Sequence, residues 1–456
     1  MKKADLILGT ALLILFISLF LLLTKDQRQL FLPVSIIIFS ALFLVIKIYR
    51  IDGRIPVFDA GFFMIGVTGL YILYPYIIFM ITGFEWTVVS DNRMRSYNPS
   101  ASDLGSFAWF HVAYLLSLIL GYLKYRPKIA MSSFTDQLKI NLSEIRIALI
   151  VLSGLLAWGI LMPLVFGDNR PHIISQLHNM FASVKFVFSI LFLAFCFSHW
   201  KIKTARLAVF LYLGYELINL LLGDAGRTWI FLHFCAAAML YDRLVNPFKV
   251  GKLMILASST LFAFIALGFF RHGAGDGFSS ILFFLSGSNE FQSMLGTAYD
   301  IYMRKEILGT WGEIPIQVYF DDIVYLIPSQ LLPFEKVDLS SWYLKVIGIY
   351  GEGAGFMFGV TSQAIIGWGI PELLIRGFIT GAFFGWLHEY YLRNQGSFWT
   401  LVLYVFIAIK SYYIFRASTG YLPYFIIYNF FPAYLAVKFL KISLINNKRA
   451  KYIKSH

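Results

Sequence analysis

Residues 6–23, LILGTALLILFISLFLLL, run without a charge for 18 positions, close to the roughly 20 apolar residues that carry a helix across a bilayer. Comparable runs recur near 30–48, 56–82, 104–123, 147–167, 182–199, 207–222, 228–242, 253–270, 370–392, 398–415 and 421–440, giving about twelve expected spans. Backbone in hydrocarbon must satisfy its own hydrogen bonds, so only helices and closed barrels cross. Barrel strands alternate polar and apolar residues, and these runs do not. The chain therefore reads as an all-α, polytopic membrane protein with one transmembrane domain over 1–456. Only 14% of its residues are charged, against about a quarter in soluble domains, which excludes a soluble fold.

The MKKAD start suggests a signal peptide, but the run behind it is longer than a signal core, lacks a small-x-small cleavage site and precedes more spans. It is expected to be a retained first helix. Cys196 and Cys235 both sit in apolar runs, leaving neither a disulfide framework nor a cysteine metal site. With the N-terminus inside, 23 of the 38 basic residues fall in inner loops and tails. That asymmetry obeys the positive-inside rule and puts both termini in the cytoplasm. The net charge of +13 is thus an orientation signal, and nucleic acid is not an expected partner.

The outer side holds one long segment, 271–369, within the same domain. Ile281–Met303 and Ile314–Leu332 are amphipathic and interrupted by polar or proline positions. They are expected to lie on, or dip into, the outer leaflet as re-entrant helices.

Six cations break the orientation rule. Arg227 opens span eight after GDAG, Arg271 ends span nine in FFRHG, and Arg416 ends span eleven in YYIFRAS, while Lys185, Arg376 and Lys410 lie inside spans near the same outer boundary. A cation at mid-membrane costs about 2.5–3.5 kcal/mol on insertion scales, less near the interface, so each needs a partner or a purpose. One such residue is explained by snorkelling to headgroups. A cluster where depletion is expected reads as a site for a concentrated anion, and guanidinium forks suit phosphate oxygens. At interface depth the ligand class is a lipid-linked phosphate or pyrophosphate, and no GxxxxGK[ST] nucleotide loop occurs. Arg227, Arg271, Arg416, Lys410 and Arg376 are the candidate pyrophosphate-binding residues.

Glycines frame these positions, and Gly226 and Gly353 are candidates for backbone contact with substrate; turn punctuation is the alternative. Four groups could act as general base: Asp322, Glu290, Glu352 and His272. Pairing with an arginine is the competing role for each carboxylate. Because cationic neighbours lower basicity, a carboxylate set apart from the arginines is favoured, and Asp322, between Phe320 and IVYLIP, fits best. In the Asp321–Asp322 pair the two side chains should point to opposite sides. Glu216 and Glu389 read as isolated. Trp311 and Trp342 could stack on sugar rings, although an interfacial belt explains most outer aromatics. With no HExxH, clustered His/Cys or DxD, neither a metal nor another cofactor is expected.

GDAGRTWIFLHF, FFRHG, DDIVYLIPSQLLP, EGAGFMFGVTSQAIIGWG and IFRAS, in this order and spacing, resemble the bacterial O-antigen polymerases of the Wzy type and the related enterobacterial common antigen polymerase. The resemblance covers Gly223 to Arg416. It implies a GT-C-like membrane fold in the bacterial inner membrane. The implied reaction transfers a growing glycan from undecaprenyl pyrophosphate to the terminal sugar of an incoming lipid-linked oligosaccharide unit, in lipopolysaccharide or related polysaccharide biosynthesis. Implied partners are the undecaprenyl-pyrophosphate-linked oligosaccharides, membrane lipids, a chain-length regulator and a flippase. In that family Arg227, Arg271 and Arg416 match outer-face arginines that hold pyrophosphate, and Asp322 matches an acidic loop position. An O-antigen ligase and a lipid-linked oligosaccharide flippase are the rival readings.

Overall fold

The computed structural model describes residues 25–53, 56–81, 97–128, 138–166, 172–221, 227–249, 251–252, 255, 259, 289–307, 309, 314, 316–328, 331–334, 339–348 and 358–454. Among these residues there is no strand, only one isolated backbone bridge between Lys139 and Ser397. The helices are α1 Lys25–Asp52, α2 Ala60–Ile81, α3 Ala101–Tyr125, α4 Leu142–Phe166, α5 His172–Ser198, α6 Lys203–Leu221, α7 Arg227–Leu244, α8 Asn289–Tyr302, α9 Ile316–Tyr319, α10 Asp321–Val324, α11 Leu339–Val346, α12 Gly359–Ile366, α13 Ile370–Arg393, α14 Phe398–Lys410, α15 Tyr412–Arg416, α16 Tyr421–Phe425 and α17 Phe431–Lys454. Two π-helical turns, Met303–Ile307 and Ile426–Phe430, follow α8 and α16.

Ten of the twelve expected spans are helices at their expected positions; 6–23 lies outside the described residues, as does 253–270 apart from 255 and 259. Among the described residues, seven stretches are long and apolar enough to cross a membrane: Gln27–Asp52, Ala60–Met80, Ala101–Tyr125, Leu142–Gly159, Ile370–Arg393, Phe398–Arg416 and Tyr421–Ser443. Helix α5 carries His172, His178 and Asn179 in its first half, and among the described residues Val184–Ser198 is a shorter apolar stretch. Helices α6 and α7 are 19 and 18 residues long and each carries charges. The described residues are almost entirely helical, and their long apolar helices make this a membrane-embedded protein.

In lipid, helices gain nothing by hiding apolar surface from one another, so close packing through small residues does much of the work. The segment GFITGAFFG on α13 puts Gly377, Gly381 and Gly385 on one face, and that face lies directly on α3. Gly377 meets Tyr114 and Ser117, Gly381 meets Leu118 and Tyr122, and Gly385 meets Tyr122 and Arg126. Both numberings rise together, so α3 and α13 run parallel. Helix α1 lies parallel on α3 as well, with Gln29 against Gly105 at one end and Asp52 bonded to Arg126 at the other.

The Asp52 end is closed by a buried polar knot. Asp59 Oδ1 accepts the N–H groups of Gly61 and Phe62 (3.0 and 3.1 Å) at the start of α2. Its Oδ2 accepts the Tyr122 hydroxyl (2.6 Å) and Arg126 Nε (2.9 Å), and Arg126 also reaches Asp52 (2.5 Å). His388 and Tyr404 extend the knot to α13 and α14 (2.6 Å apart), and Tyr404 accepts the Ala60 N–H (2.8 Å).

The long segment behaves in two ways. Residues 294–301 of α8 are all buried, and the helix packs on α2 and α12, so it enters the bundle. Around α9 and α10, by contrast, Ile316, Phe320, Ile323 and Leu331 are exposed, a fringe suited to the headgroup region.

Candidate functional site

Helix α14 ends at Lys410, where the fully buried Ser411 turns its hydroxyl onto the Ala408 carbonyl (2.6 Å). The chain restarts as α15, ends at Arg416 and turns through Ala417–Gly420 into α16. Two bonds fasten this turn: the Gly359 N–H donates to the Ala417 carbonyl (2.8 Å), and the Gly420 N–H donates to Asp322 Oδ1 (2.7 Å). Position 420 has to be glycine, because a Cβ there would lie 2.8 Å from the Asp322 Cα. The Thr419 hydroxyl also donates to Asp322 Oδ1 (2.7 Å), while Asp322 Oδ2 pairs with Arg376. Arg376 Nε pairs with Glu372 at 2.6 Å, and the other Glu372 oxygen accepts the Trp368 N–H at 2.9 Å.

This corrects one expectation. Asp322 does not stand apart from the arginines: both its oxygens are engaged, one of them by Arg376. It works as a clasp that straps α10 onto the turn after Arg416. Its neighbour Asp321 is buried while Asp322 is half-buried, so the two side chains do diverge as expected.

Aromatic rings join the cations at this end. The Tyr413 ring lies 5.2 Å from Lys410 Nζ and 6.0 Å from the Arg416 guanidinium. Tyr413 stacks on Tyr421 (6.1 Å between centroids, 7° between planes), and Tyr421 stacks on Tyr325 (4.3 Å). Tyr325 is three residues beyond Asp322, so the ladder of rings ends at the clasp.

Lys410 is only 3% exposed and caged by Phe425 (4.5 Å), Phe186 (5.0 Å), Tyr413 (5.2 Å) and Trp229 (5.7 Å). Among the described residues no carboxylate lies within ion-pair distance of it. The Trp229 indole donates to Glu216 Oε2 (3.2 Å), and Glu216 Oε1 pairs with Lys185 (2.9 Å). Glu216 is therefore not isolated, and Lys185 is neutralised by it. Glu389 also has a partner, Arg393 one turn on.

Several sequence candidates are placed elsewhere. Trp342 is 6% exposed and packs into the core beside the buried Leu339 and Tyr343, so it offers no free face to a sugar. For Arg227 and Glu290 only the backbone is described, Arg227 opening α7 two residues before Trp229 and Glu290 following the first residue of α8. Gly226, Arg271, His272, Trp311, Glu352 and Gly353 lie outside the described residues.

No family model, curated protein or solved structure matches this chain. Its chemistry is therefore read from its own side chains. One node was missed in the sequence: Asp300 accepts the hydroxyls of Tyr97 (2.6 Å) and Tyr343 (2.7 Å) and pairs with Arg304 (3.0 Å). Burial, then the Asp300 carboxylate, push the Tyr97 phenol up. The i,i+4 spacing of Asp300 and Arg304 was the available signal. Together the groups at the Arg416 end can take up negative charge through Arg416, and can offer tyrosine ring faces next to it; Lys410, expected as a pyrophosphate contact, is closed in by its aromatic cage and presents no free face to a ligand.

Proposed function

We propose that this chain is an outward-facing glycosyltransferase that polymerises undecaprenyl-pyrophosphate-linked oligosaccharide units in the bacterial inner membrane. One observation carries the reading: Asp322 straps α10 to the turn that follows Arg416, gathering Arg416, Arg376, Lys410 and three stacked tyrosines at one end of a membrane-embedded bundle. The opposite end carries most of the basic loop residues, which favours a cytoplasmic location for it. Parallel α3 and α13 also require an odd number of crossings between them. Helices α4 to α7 account for four, and the apolar run 253–270 is proposed as the fifth, which supports the count of twelve.

In the proposed reaction the acceptor sugar's hydroxyl oxygen bonds to the anomeric carbon as the bond from that carbon to the pyrophosphate oxygen breaks. Undecaprenyl pyrophosphate leaves with its electron pair, and Arg416, joined by Arg227 and Arg271, takes up the charge. The hydroxyl proton passes to a base. Since Asp322 is engaged, that role moves to Glu352, Glu290 or His272, and Glu352 is favoured because it lies seven residues before Gly359, which is bonded to the Ala417 turn. Arg376 becomes a positioning residue. Gly226, Gly353 and Trp311 are retained as substrate contacts, and Tyr325 and Tyr421 replace Trp342 as the stacking surface.

The glycolipid profile of cells lacking the protein tests this. Lipid A core capped by a single repeat unit is expected; finished glycan left on the carrier, or units trapped inside, would each overturn it in favour of a ligase or a flippase. For orientation, a cysteine at the exposed Trp368 should react with a membrane-impermeant maleimide in outer-membrane-permeabilised cells, and one at Lys203 only after lysis. The reverse pattern refutes the topology. Because cationic side chains supply the charge compensation, polymerisation by purified protein is expected to continue in excess chelator; a strict divalent-ion requirement would refute that.

A further inference from the structure

We infer that the end of the bundle opposite Arg416 holds a site for the phosphate headgroup of an anionic phospholipid. A cleft of about 840 Å³ opens there where the first turns of α4 and α14 meet α17, and Lys139, Asn141, Glu144, Ser397, Trp399 and Lys438 line it. Its floor is stitched by backbone, the Lys139 N–H donating to the Gly396 carbonyl at 2.9 Å.

The charge balance of the cleft is positive. Glu144 is the acidic residue of the lining, and it is saturated: Oε1 accepts Lys438 (2.7 Å) and Lys441 (2.9 Å), and Oε2 accepts the Trp399 indole N–H (2.8 Å). Two lysines on one carboxylate leave one positive charge over, and Lys139, also in the lining, adds another. The first turns of α4 and α14, behind Asn141 and Ser397, add the positive ends of two helix dipoles. Asn141 accepts from Ser143 and Glu144, and Ser397 from Thr400, so both helix starts are capped.

The helices that flank the cleft favour a lipid over a soluble anion. Leu142 and Ile150 on α4, and Phe439 and Ile442 on α17, are 57%, 72%, 67% and 54% exposed. The flanking helices thus carry apolar surface next to a cationic notch, a pairing that fits a phosphodiester with its acyl chains lying along α4 and α17.

The test is thermal unfolding of the purified full-length protein titrated with phosphatidylglycerol, phosphatidylcholine or inorganic phosphate. Phosphatidylglycerol is expected to raise the midpoint by several degrees, with phosphatidylcholine and millimolar phosphate doing neither. In Lys139→Gln with Lys438→Gln the half-saturating phosphatidylglycerol concentration should rise at least tenfold, while Lys201→Gln with Lys203→Gln leaves it unchanged. An equal response to both lipids, an equal response to phosphate, or an unaltered response in the Lys139 and Lys438 variant would each overturn the site. Should that variant fail to fold, native mass spectrometry of the wild-type protein from an equimolar lipid mixture decides: retained phosphatidylglycerol supports the site, and random retention refutes it.

Discussion

Arg416→Ala is expected to lower glycan elongation more than tenfold at unchanged protein level, with Arg416→Lys recovering only part of it. A charge-assisted hydrogen bond contributes about 1.5–3 kcal/mol, and 1.4 kcal/mol is a factor of ten. Lysine keeps the charge but loses the planar fork that grips two oxygens at once. The Asp322 clasp makes a different pattern. Asp322→Asn and Arg376→Gln each loosen the same strap, so the double variant should be no worse than the more damaging single one. Elongation rates from purified protein and a synthetic lipid-linked unit read both effects. Full activity in Arg416→Ala would remove the cation from the site, and additive losses at 322 and 376 would show that the two residues do not act through one strap.

The second large effect is on stability. Gly381→Ala would drive a Cβ into the Leu118 carbonyl of α3, with the Tyr122 amide nitrogen only 2.7 Å away. Both are backbone atoms within a helix, so neither can swing aside as a side chain would. Overpacking of this kind typically costs about 1–3 kcal/mol, and Gly381→Val should exceed it. Gly154→Ala is the internal control, because a Cβ there meets nothing within 4 Å. Thermal unfolding in detergent should show a clear loss for Gly381→Ala and none for Gly154→Ala. Equal midpoints would mean that α3 and α13 are not pressed together as described.

The helices were legible because the physics that makes them is local: an uncharged run long enough to cross lipid has few other conformations open to it. Pairing was not legible. Glu216 looks isolated within its own helix and acquires Lys185 and Trp229 from two others. Asp322 sits among apolar neighbours in sequence, which suggested a detached base, whereas its three partners come from 54 to 98 residues away. Trp342 reads as a loop aromatic and is turned inward beside Tyr343. The glycines at 377, 381 and 385 were readable from spacing alone, since four-residue steps put them on one helical face, but only the structure says which helix they meet. Of the cationic cluster, Lys410, Arg416 and Arg376 lie at one end of the bundle, and carboxylates already balance Arg376 and Lys185.

The parallel seating of α3 against α13 has a consequence for how the chain is made. At roughly 5–20 residues per second, a ribosome finishes α13 on the order of 15–50 s after α3. Through that interval the groove that will receive three glycines must be sheltered by lipid or by the insertion machinery. The amino-terminal helices cannot settle as an independent unit, because one of their principal contacts is delivered only when Ile370–Arg393 is made. Chains cut short before Gly377 would therefore keep an open seam, which makes them substrates for membrane quality-control proteases, while chains that pass Gly385 can close it.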